Sequence, residues 1–386
     1  MSTLRHALQQ HLFTSDSATY RDYLQQLAER ADIGLEGVRP WDMTVHNDGL
    51  WRRIVSEGSL GAGEAYMDGW WDCRALDELF ARILRAGIDR EMVSLNNLRL
   101  VLSARLQNLQ TPRRAVSVAH KHYDLSSELY RAMLDNRMIY SCGYWHQATS
   151  LDEAQEAKLS LVCRKLDLQP GMRLLDIGCG WGGAARYAAE NFGVQVTGIT
   201  VSHEQARVAE ATCEGLPVEI RVADYRTMDG QFDRIMSIGM FEHVGYKNYR
   251  TYFRKALNLL SPDGLFLLHT IGSNLSRSIT DPWIEKYIFP NSMLPSAVQI
   301  TRALEGLFVI EDWHGFGADY DRTLMSWHAN LQGNWTRLSP SFDERFRRMW
   351  TYYLLCSAGA FRARSNQLWQ WLLSPKGIPG GWKTVR

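Results

Sequence analysis

Four short segments place reactive side chains beside aromatic rings and glycines. These segments are residues 140–145, 239–245, 269–272 and 316–321. Glu242 and His269 are residue types that move or orient protons, whereas Cys142 is either a reactive thiol or a small buried apolar residue. His269 also fits a strand-end histidine with its hydrogen bonds satisfied, and Tyr320 fits an ordinary core ring. From the residues alone, these alternatives stay open.

A glycine-rich turn follows the first β-rich run of the second half of the chain. Residues 174–183 are Leu-Leu-Asp-Ile-Gly-Cys-Gly-Trp-Gly-Gly. Glycines let a backbone approach a ligand that side chains would keep away, and these are Gly178, Gly180, Gly182 and Gly183. Such a turn alone suits NAD or FAD equally well. Combined with Asp176 and the later Asp224, it resembles the first motif of class I S-adenosylmethionine-dependent methyltransferases. Cys179 is interpreted as packing, and His243 stays ambiguous.

This resemblance implies how the nucleotide is held. The glycines should face the methionine part of the cofactor, and Asp224 should accept a hydrogen bond from the adenine amine. One departure concerns the end of the second strand, where class I enzymes commonly carry an acid for the ribose. Here Thr200 and Gln205 are the polar groups that replace it. The predicted cofactor-binding residues are Tyr140, Ser141, Asp176, Gly178, Gly180, Thr200, Gln205, Asp224, Tyr225 and Arg226.

The elements that must position these residues follow an alternating pattern. From residue 171 onward, short β-rich runs alternate with helical stretches, which predicts a parallel sheet covered on both faces. The predicted strands are 173–177, 195–200, 219–223, 232–238 and 264–269, with helices over 183–191 and 204–214. Ligands of such sheets lie beyond the carboxyl ends of the strands, where Glu242 and His269 fall. The predicted fold class is α/β, a doubly wound Rossmann-like sheet with a small helical N-terminal domain.

The N-terminal part is predicted to be a separate helical domain. Apolar spacing and interrupting glycines predict short helices over residues 17–90. The predicted division is a helical domain over 1–95 in contact with lipid, a basic linker over 96–125 and a catalytic domain over 126–386. Residues 61–71 contain Tyr66, Trp70 and Trp71 after several glycines. These rings either close a small core or form a surface that faces lipid or substrate.

A basic amphipathic segment lies between the two predicted domains. Residues 92–123 contain no acidic residue. Their cations alternate with leucines at helical spacing, and they are Arg99, Arg105, Arg113, Arg114 and Lys121. The segment fits a solvated linker helix or a helix lying on anionic lipid, and less well a short nucleic-acid contact. His122 within it stays ambiguous.

The reactive segments in combination resemble one enzyme family. With residues 64–71 and 359–364, they are similar to cyclopropane-fatty-acyl-phospholipid synthases and, less closely, to mycolic acid cyclopropane synthases. The resemblance covers nearly the whole chain. It implies transfer of a methylene unit from S-adenosylmethionine to the cis double bond of an acyl chain in a phospholipid. It also implies a homodimer whose N-terminal domain touches the bilayer.

The same resemblance implies a base that is not a protein side chain. In the family a bound bicarbonate ion takes the proton, and its ligands correspond here to Cys142, Glu242, His269, Ile271 through its backbone amide, and Tyr320. Glu242 is expected to orient this anion. Aromatic faces stabilise a developing carbocation through their ring quadrupoles. The candidates for that role are Tyr140, Tyr144, Trp145, Phe241 and Tyr320.

Composition restricts the alternatives. The 43 Lys and Arg residues against 42 Asp and Glu give a net charge of +1, which offers no global attraction for nucleic acid. The six cysteines include no C-x-x-C pair, so we expect neither a metal site nor a disulfide framework. We expect a cytoplasmic enzyme, because neither a signal peptide nor a run of roughly 18 apolar residues is present. We also expect it to be attached peripherally to the inner face of the membrane.

Two other functional classes remain as alternatives. A methyltransferase acting on a small molecule or an RNA base would share the cofactor turn. An RNA enzyme should have a basic face in its catalytic domain, whereas the cations here concentrate in 92–123. Many amino-methylating enzymes carry an Asn/Asp-Pro-Pro-aromatic motif after the fourth strand, where this chain has Phe-Glu-His-Val. A noncatalytic lipid-binding protein would not require the adenosine-binding residues.

Overall fold

The computed structural model describes residues 17–91 and 127–386, which form two compact units. The first unit contains the described part of residues 1–103 together with Asp281–Ile288 and Ser339–Ser365. The remaining described residues belong to the second unit. The helical unit therefore includes two later segments that the predicted division assigned to the catalytic domain. The predicted linker 96–125, the basic segment 92–123 and His122 lie outside the described residues.

The first unit is helical, as the sequence predicted. Numbered along the whole chain, its helices are α1 (Ser17–Arg30), α2 (Gly49–Glu57), α3 (Ser59–Met67), α4 (Leu76–Arg85), α10 (Pro282–Tyr287) and α14 (Glu344–Arg362). Strands β1 (Thr44–Val45) and β2 (Trp71–Asp72) pair antiparallel, and a 3-10 turn spans Ile88–Arg90. Helix α14 packs on α4 through Gly359, where a Cβ would lie 2.7 Å from Cβ of Phe80.

Two of the three rings of residues 61–71, Tyr66 and Trp71, close the core of this unit. Tyr66 and Trp71 are buried, and both rings contact Tyr352 on α14. Gly63 is a glycine because a Cβ there would enter the indole of Trp283 on α10. The alternative that Tyr66 and Trp71 face lipid is wrong, because both side chains are buried by packing within the unit.

The second unit is built on a seven-stranded mixed sheet. Its strands are β3 (Arg173–Ile177), β4 (Gln195–Thr200), β5 (Val218–Val222), β6 (Phe232–Ile238), β7 (Leu260–Ser273), β8 (Val309–Gly315) and β9 (Asn366–Ser374), in the order β5-β4-β3-β6-β7-β9-β8. The first five are mutually parallel. Strand β9 pairs antiparallel with both β7 and β8, and neither β8 nor β9 was predicted. The purely parallel sheet predicted from the sequence is therefore incomplete.

Helices cover both faces of this sheet. They are α5 (Ser127–Met133), α6 (Leu151–Lys165), α7 (Gly183–Phe192), α8 (His203–Thr212), α9 (Tyr249–Leu259), α11 (Ala297–Leu304), α12 (Asp319–Gly333) and α13 (Trp335–Leu338), with 3-10 turns at Tyr225–Thr227 and Phe241–His243. Serine hydroxyls begin three of them: Ser150 accepts from the Glu153 amide at α6, Ser202 from the Gln205 amide at α8, and Ser296 from the Gln299 amide at α11. No helix in residues 17–91 or 127–386 has the length and apolar character to cross a membrane.

Alternate residues of the central strands supply two separate cores. Leu175 and Ile177 of β3 pack with Phe253 of α9, whereas Leu174 packs with Ala188 of α7 on the opposite face. Burial on both faces holds β3 rigidly in the middle of the sheet. The chain runs outward from β3 to β4 and β5 on one side and to β6 and β7 on the other. Ligands of doubly wound sheets bind where this order reverses, beyond the carboxyl ends of β3 and its neighbours.

Candidate active site

A pocket lies beyond the carboxyl ends of β3, β4 and β6. All ten predicted cofactor-binding residues line it, namely Tyr140, Ser141, Asp176, Gly178, Gly180, Thr200, Gln205, Asp224, Tyr225 and Arg226. They come from the loop before α6, the glycine turn after β3, the end of β4 and the turn after β5. The topology thus gathers residues spaced over 87 positions, from 140 to 226, into one concave site.

Of the four glycines in the turn, three line the pocket and one packs against a helix. Gly178 has φ +88°, and a Cβ there would lie 2.8 Å from Cβ of Met240, so only glycine fits between the pocket and β6. Gly180 and Gly183 also line the pocket. Gly182 does not: its α-carbon faces α8, where a Cβ would lie 3.1 Å from Cα of Ala209. The prediction that all four glycines approach the ligand is wrong for Gly182, which packs two helices together.

Asp176 is an acid held at the floor of the pocket. Its side chain is 1% exposed, and Oδ2 has no hydrogen-bond partner within the described residues. Burial raises the pKa of this carboxyl to about 7, and the positive charge of Lys158 acts in the opposite direction. A buried acceptor without a donor is costly, so this oxygen is suited to a hydrogen-bond donor on a ligand.

Thr200 and Gln205 form the polar pair that the sequence predicted in place of an acid. The Thr200 hydroxyl donates to Oε1 of Gln205 at 2.8 Å and accepts from the Ser202 amide at 3.2 Å. These bonds fix both side chains at the end of β4 and the start of α8. They leave the Gln205 amide nitrogen as the donor of the pair, which suits an acceptor such as a ribose oxygen.

Asp224 and Arg226 are paired with each other across the 3-10 turn after β5. Oδ1 of Asp224 accepts from the backbone amide and Nε of Arg226 at 2.9 and 2.8 Å, and Oδ2 accepts from Nη2 at 2.6 Å. This bidentate pair holds the carboxylate in one orientation at the pocket wall. Tyr225 between them is buried edge-on against Tyr252.

Sequence reasoning missed several residues of the pocket wall. Trp181 lines it and lies 4.6 Å from the ring of Tyr130, and its place inside the glycine turn was a usable signal. Met138 and Asn291 line it with φ +58°, a backbone feature that the sequence does not reveal. Lys158 reaches the pocket from α6, where nothing in the helical pattern indicates it.

His243, which the sequence left ambiguous, also lines the pocket. It follows Glu242 in the 3-10 turn after β6 and faces the ring of Phe289. Burial lowers the pKa of its imidazole to about 4, so the ring is neutral at physiological pH. A neutral imidazole adds no positive charge to the pocket wall.

Glu242 is the first of the five predicted base-site residues, here called the polar cluster: Cys142, Glu242, His269, Ile271 and Tyr320. It is buried directly after β6, and Oε1 accepts from the Ile271 amide at 2.7 Å. Oε2 is buried and has no partner among the residues that the structure describes. Burial raises the pKa of this carboxyl to about 7, although the Ile271 amide favours the charged form.

Ile271 therefore has a different partner from the one predicted. Its amide was assigned to an anion through the family resemblance, whereas in this structure it donates to Glu242. The amide fixes one oxygen of the carboxylate and leaves the other oxygen to meet a ligand. Ile271 thus serves the site by orienting Glu242.

His269 lies on β7 opposite Gln370 of β9 and is 1% exposed. Nδ1 is 3.3 Å from the Gln370 side-chain nitrogen, and Nε2 is buried without a partner in the described part of the chain. Burial lowers the pKa of His269 well below its ordinary value, so the imidazole is neutral. The interpretation of His269 as a histidine with satisfied hydrogen bonds is wrong for Nε2.

Cys142 contacts helix α12, and Tyr320 belongs to that helix. The Cys142 thiol donates to the Gly143 carbonyl at 3.2 Å and lies 3.9 Å from Oγ1 of Thr323. Burial raises the pKa of this thiol well above its ordinary value, so it is protonated and not a nucleophile. Tyr320 contacts Trp327 edge-on, and Trp327 in turn contacts Tyr140 of the cofactor pocket. A chain of rings thus connects the polar cluster to the pocket.

The five aromatic candidates for carbocation stabilisation do not share one site. Tyr140 lines the pocket. Phe241 is fully buried and stacks on Tyr249 in the core beneath the sheet, so the proposal that its face meets substrate is wrong. Trp145 donates to Oγ1 of Thr323 at 2.9 Å and is held as a packing residue.

Comparison with known proteins identifies the family. Residues 110–371 match the family model described as mycolic acid cyclopropane synthetase. Cyclopropane-fatty-acyl-phospholipid synthase of Escherichia coli strain K12 is 51% identical over 362 residues, which cover 94% of each chain. The chain belongs to the cyclopropane fatty acid synthase family. It is an S-adenosylmethionine-dependent methyltransferase, and a Mycobacterium tuberculosis relative named tuberculostearic acid methyltransferase is 34% identical over 86% of this chain and 82% of its own.

Solved structures support the same assignment. Cyclopropane synthase MmaA2 of Mycobacterium tuberculosis has a TM-score of 0.64 at 32% identity, covering 67% of this chain and 97% of its own. A mycolic acid cyclopropane synthase solved with S-adenosylhomocysteine and CTAB has a TM-score of 0.63 at 34% identity, with the same coverage. The class I Rossmann-like fold predicted from the sequence is confirmed.

Proposed function

We propose that this enzyme converts the cis double bond of an unsaturated acyl chain in a membrane phospholipid into a cyclopropane ring. The observation that carries the proposal is a pair of buried polar atoms on the neighbouring strands β6 and β7: Oε2 of Glu242, which follows β6, and Nε2 of His269 on β7 have no partners in the described residues. A simple methyl transfer to nitrogen or oxygen does not require two such buried polar atoms. The match to the Escherichia coli relative over 94% of both chains supports the same reaction.

The reaction requires a site for the cofactor and a site for the acyl chain from which water is excluded. S-adenosylmethionine supplies an electron-deficient methyl group on a sulfonium. The alkene π electrons form the first carbon–carbon bond while the sulfur–carbon pair returns to sulfur. A proton then leaves the transferred carbon, and the freed electron pair closes the ring. The ten pocket residues described above are proposed to hold the cofactor, with Asp224 towards adenine and the glycine turn towards the methionine part.

The chain's own groups restrict what can take that proton. Cys142 is a protonated thiol, and His269 is neutral but enclosed. We propose that bicarbonate is the base, held by Cys142, Glu242, His269 and Tyr320. The unpartnered atoms of Glu242 and His269 fit such an anion, since an imidazole N–H donates to it and a carboxylate accepts from its hydroxyl. Ile271 contributes by fixing Oε1 of Glu242.

The reaction is tested with purified enzyme, methyl-labelled S-adenosylmethionine and vesicles of unsaturated phospholipid. We expect labelled fatty esters whose proton spectrum shows the upfield signals of a cyclopropane. Vesicles of saturated phospholipid are the control. Label in a methyl-branched or methylene-branched chain would contradict ring formation, and no label in lipid would contradict a lipid substrate.

The base is tested by removing dissolved carbon dioxide. In bicarbonate-free buffer we expect turnover to fall and to recover when bicarbonate is added back, while S-adenosylhomocysteine affinity stays unchanged. Turnover that is indifferent to bicarbonate would reject this base and leave the ring-forming assignment standing.

We further propose a cytoplasmic homodimer attached peripherally to the membrane. The support for attachment to the membrane is the sequence of residues 92–123, which has five cations and no acid. Such a segment gains roughly 1 kcal/mol per cation near an anionic surface. Sedimentation with anionic but not with zwitterionic vesicles is expected, and light scattering of the free enzyme should give twice the chain mass. Equal sedimentation with both vesicle types would exclude the electrostatic attachment.

A further inference from the structure

Helix α6 buries two lysines about two turns apart. Lys158 and Lys165 are each 0% exposed. Lys165 has an evident structural role, because Nζ contacts Oδ2 of Asp312 at 2.7 Å. Arg386 contacts the same carboxylate. The charge of Lys165 is therefore balanced inside the protein.

Lys158 lacks such a partner. In the described part of the chain, no carboxylate oxygen lies within the 4.0 Å of an ion pair from its ammonium. Its hydrogen bond goes to Oγ of Ser141 at 2.9 Å. A buried ammonium is costly unless an anion compensates it, so a hydroxyl alone leaves this charge under-compensated.

The position of Lys158 identifies where the missing anion binds. Lys158, Ser141 and Asp176 all line the cofactor pocket. Oγ of Ser141 accepts from Lys158, so the single hydroxyl hydrogen of Ser141 is free to point towards a ligand. The pair therefore presents positive charge and a hydrogen-bond donor to the pocket. The negatively charged group of S-adenosylmethionine is the carboxylate of its amino-acid part.

We propose that Lys158 is a positioning residue that holds, through Ser141, the amino-acid carboxylate of S-adenosylmethionine. This deepens the proposed function, because it rests on the assignment of Ser141 to the cofactor site. Lys158 itself takes no part in proton or methyl transfer. Its charge sets the affinity for the amino-acid end of the cofactor, whereas the adenosine end is held by Thr200, Gln205 and Asp224.

The groups around Lys158 agree with this role. Burial lowers its pKa to about 8, which keeps the ammonium charged at neutral pH. Its neighbouring thiols, Cys142 and Cys163, are neutral because burial raises their pKa. The neighbouring acids are Asp135 and Asp176, and burial raises the pKa of both. Asp176, with a pKa of about 7, is only partly charged at neutral pH, and a bound carboxylate completes the compensation.

The test compares two ligands that differ in the amino-acid part. S-adenosylhomocysteine carries the carboxylate, and 5′-methylthioadenosine lacks the whole amino-acid group. By isothermal titration calorimetry, Lys158→Met should weaken S-adenosylhomocysteine binding about 10- to 100-fold, as expected for losing a hydrogen bond to a charged group. Binding of 5′-methylthioadenosine should stay unchanged. In turnover assays the same variant should raise the KM for S-adenosylmethionine much more than it lowers kcat.

Two further variants make the test specific. Ser141→Ala should show the same selective loss of S-adenosylhomocysteine affinity. Combining it with Lys158→Met should weaken binding little further, because both substitutions disrupt the same hydrogen-bonded pair. Lys165→Met is the matched control on the same helix: it should lower the melting temperature and leave both affinities unchanged.

The outcomes separate the inference from the proposed function. Equal weakening of both ligands by Lys158→Met, or no weakening of either, would overturn the role of Lys158. If that variant does not fold, as judged by circular dichroism, Ser141→Ala decides alone by the same comparison. Failure of the unaltered enzyme to bind S-adenosylhomocysteine would instead overturn the cofactor assignment beneath it.

Discussion

The cofactor pocket and the polar cluster adjoin the same edge of the sheet and are built in opposite ways. In the pocket, Thr200 is already paired with Gln205 and Asp224 with Arg226, and Asp176 is the exception, with Oδ2 unpartnered in the described residues. In the polar cluster, Glu242 and His269 each keep a buried atom unpaired in the described structure. Binding a large nucleotide requires a preorganised shape, whereas moving a proton requires groups whose protonation is tuned by burial. The pocket is therefore expected to govern affinity and the cluster to govern rate.

The largest expected effect is on the cluster side. Glu242→Gln should lower turnover at least about 100-fold, because Oε2 can no longer accept a hydrogen bond as an anion in the transition state. Affinity for S-adenosylhomocysteine should be unchanged, since Glu242 lies outside the pocket lining. Steady-state kinetics and calorimetry check both halves.

A matched control uses an acid on the surface. Glu219 lies on β5 in an exposed pair with Arg221, so Glu219→Gln should change neither turnover nor affinity. If Glu242→Gln kept full turnover, Glu242 would have no role in orienting the base, and the contrast between the two regions would fail.

On the pocket side, Asp224→Asn should weaken S-adenosylhomocysteine binding about tenfold and leave kcat at saturating cofactor nearly intact. The substitution replaces one carboxylate oxygen by an NH2 donor, which weakens the proposed acceptor for adenine and disrupts the bidentate pair with Arg226. Calorimetric affinity and kcat are measured on the same preparation. A fall in kcat without a change in affinity would place Asp224 in the chemistry and break the comparison.

The pH dependence sharpens the comparison. Burial raises the pKa of Glu242 to about 7, so its carboxylate form prevails above that pH. Turnover should therefore fall on the acid side, by about tenfold per pH unit well below pH 7. The folded state retains this proton longer than the unfolded state, so ionisation of Glu242 destabilises the fold as pH rises from about 4.5 to about 7.

Two measurements check this titration. A profile of kcat against pH should show the acid limb. Melting temperatures should show Glu242→Gln gaining stability over the unaltered enzyme as pH is raised through the same window. An acid limb centred near pH 4.5 would mean that Glu242 is not the titrating group.

The smallest expected effect concerns Cys142. Its thiol is protonated and donates to the Gly143 carbonyl, so Cys142→Ser should change turnover by about threefold or less. Alkylation by iodoacetamide should be slow in the folded enzyme. Rapid alkylation with parallel loss of turnover would show that this thiol is reactive.

The sequence revealed the pocket better than the rest of the site. A glycine turn and acids at strand ends are spaced by the βαβ unit itself, so ten residues that line the pocket could be named in advance. Strand β9 could not, because Leu368–Leu373 is a short apolar run that fits a strand or a buried helix equally well. Lys158 was missed for a related reason: its position on α6 indicates a charged surface residue, and its burial is a product of tertiary packing.

The helical unit draws on three separate stretches of the chain, and this has a consequence for biosynthesis. Helix α14 supplies Tyr352 and Gly359 to the core around α3 and α4, so that core is incomplete until residue 362 has left the ribosome. Domains generally fold as units during translation. The amino-terminal helices therefore wait, with their apolar faces uncovered, through synthesis of nearly the entire polypeptide, and they are the part of the nascent enzyme with most need of chaperone protection.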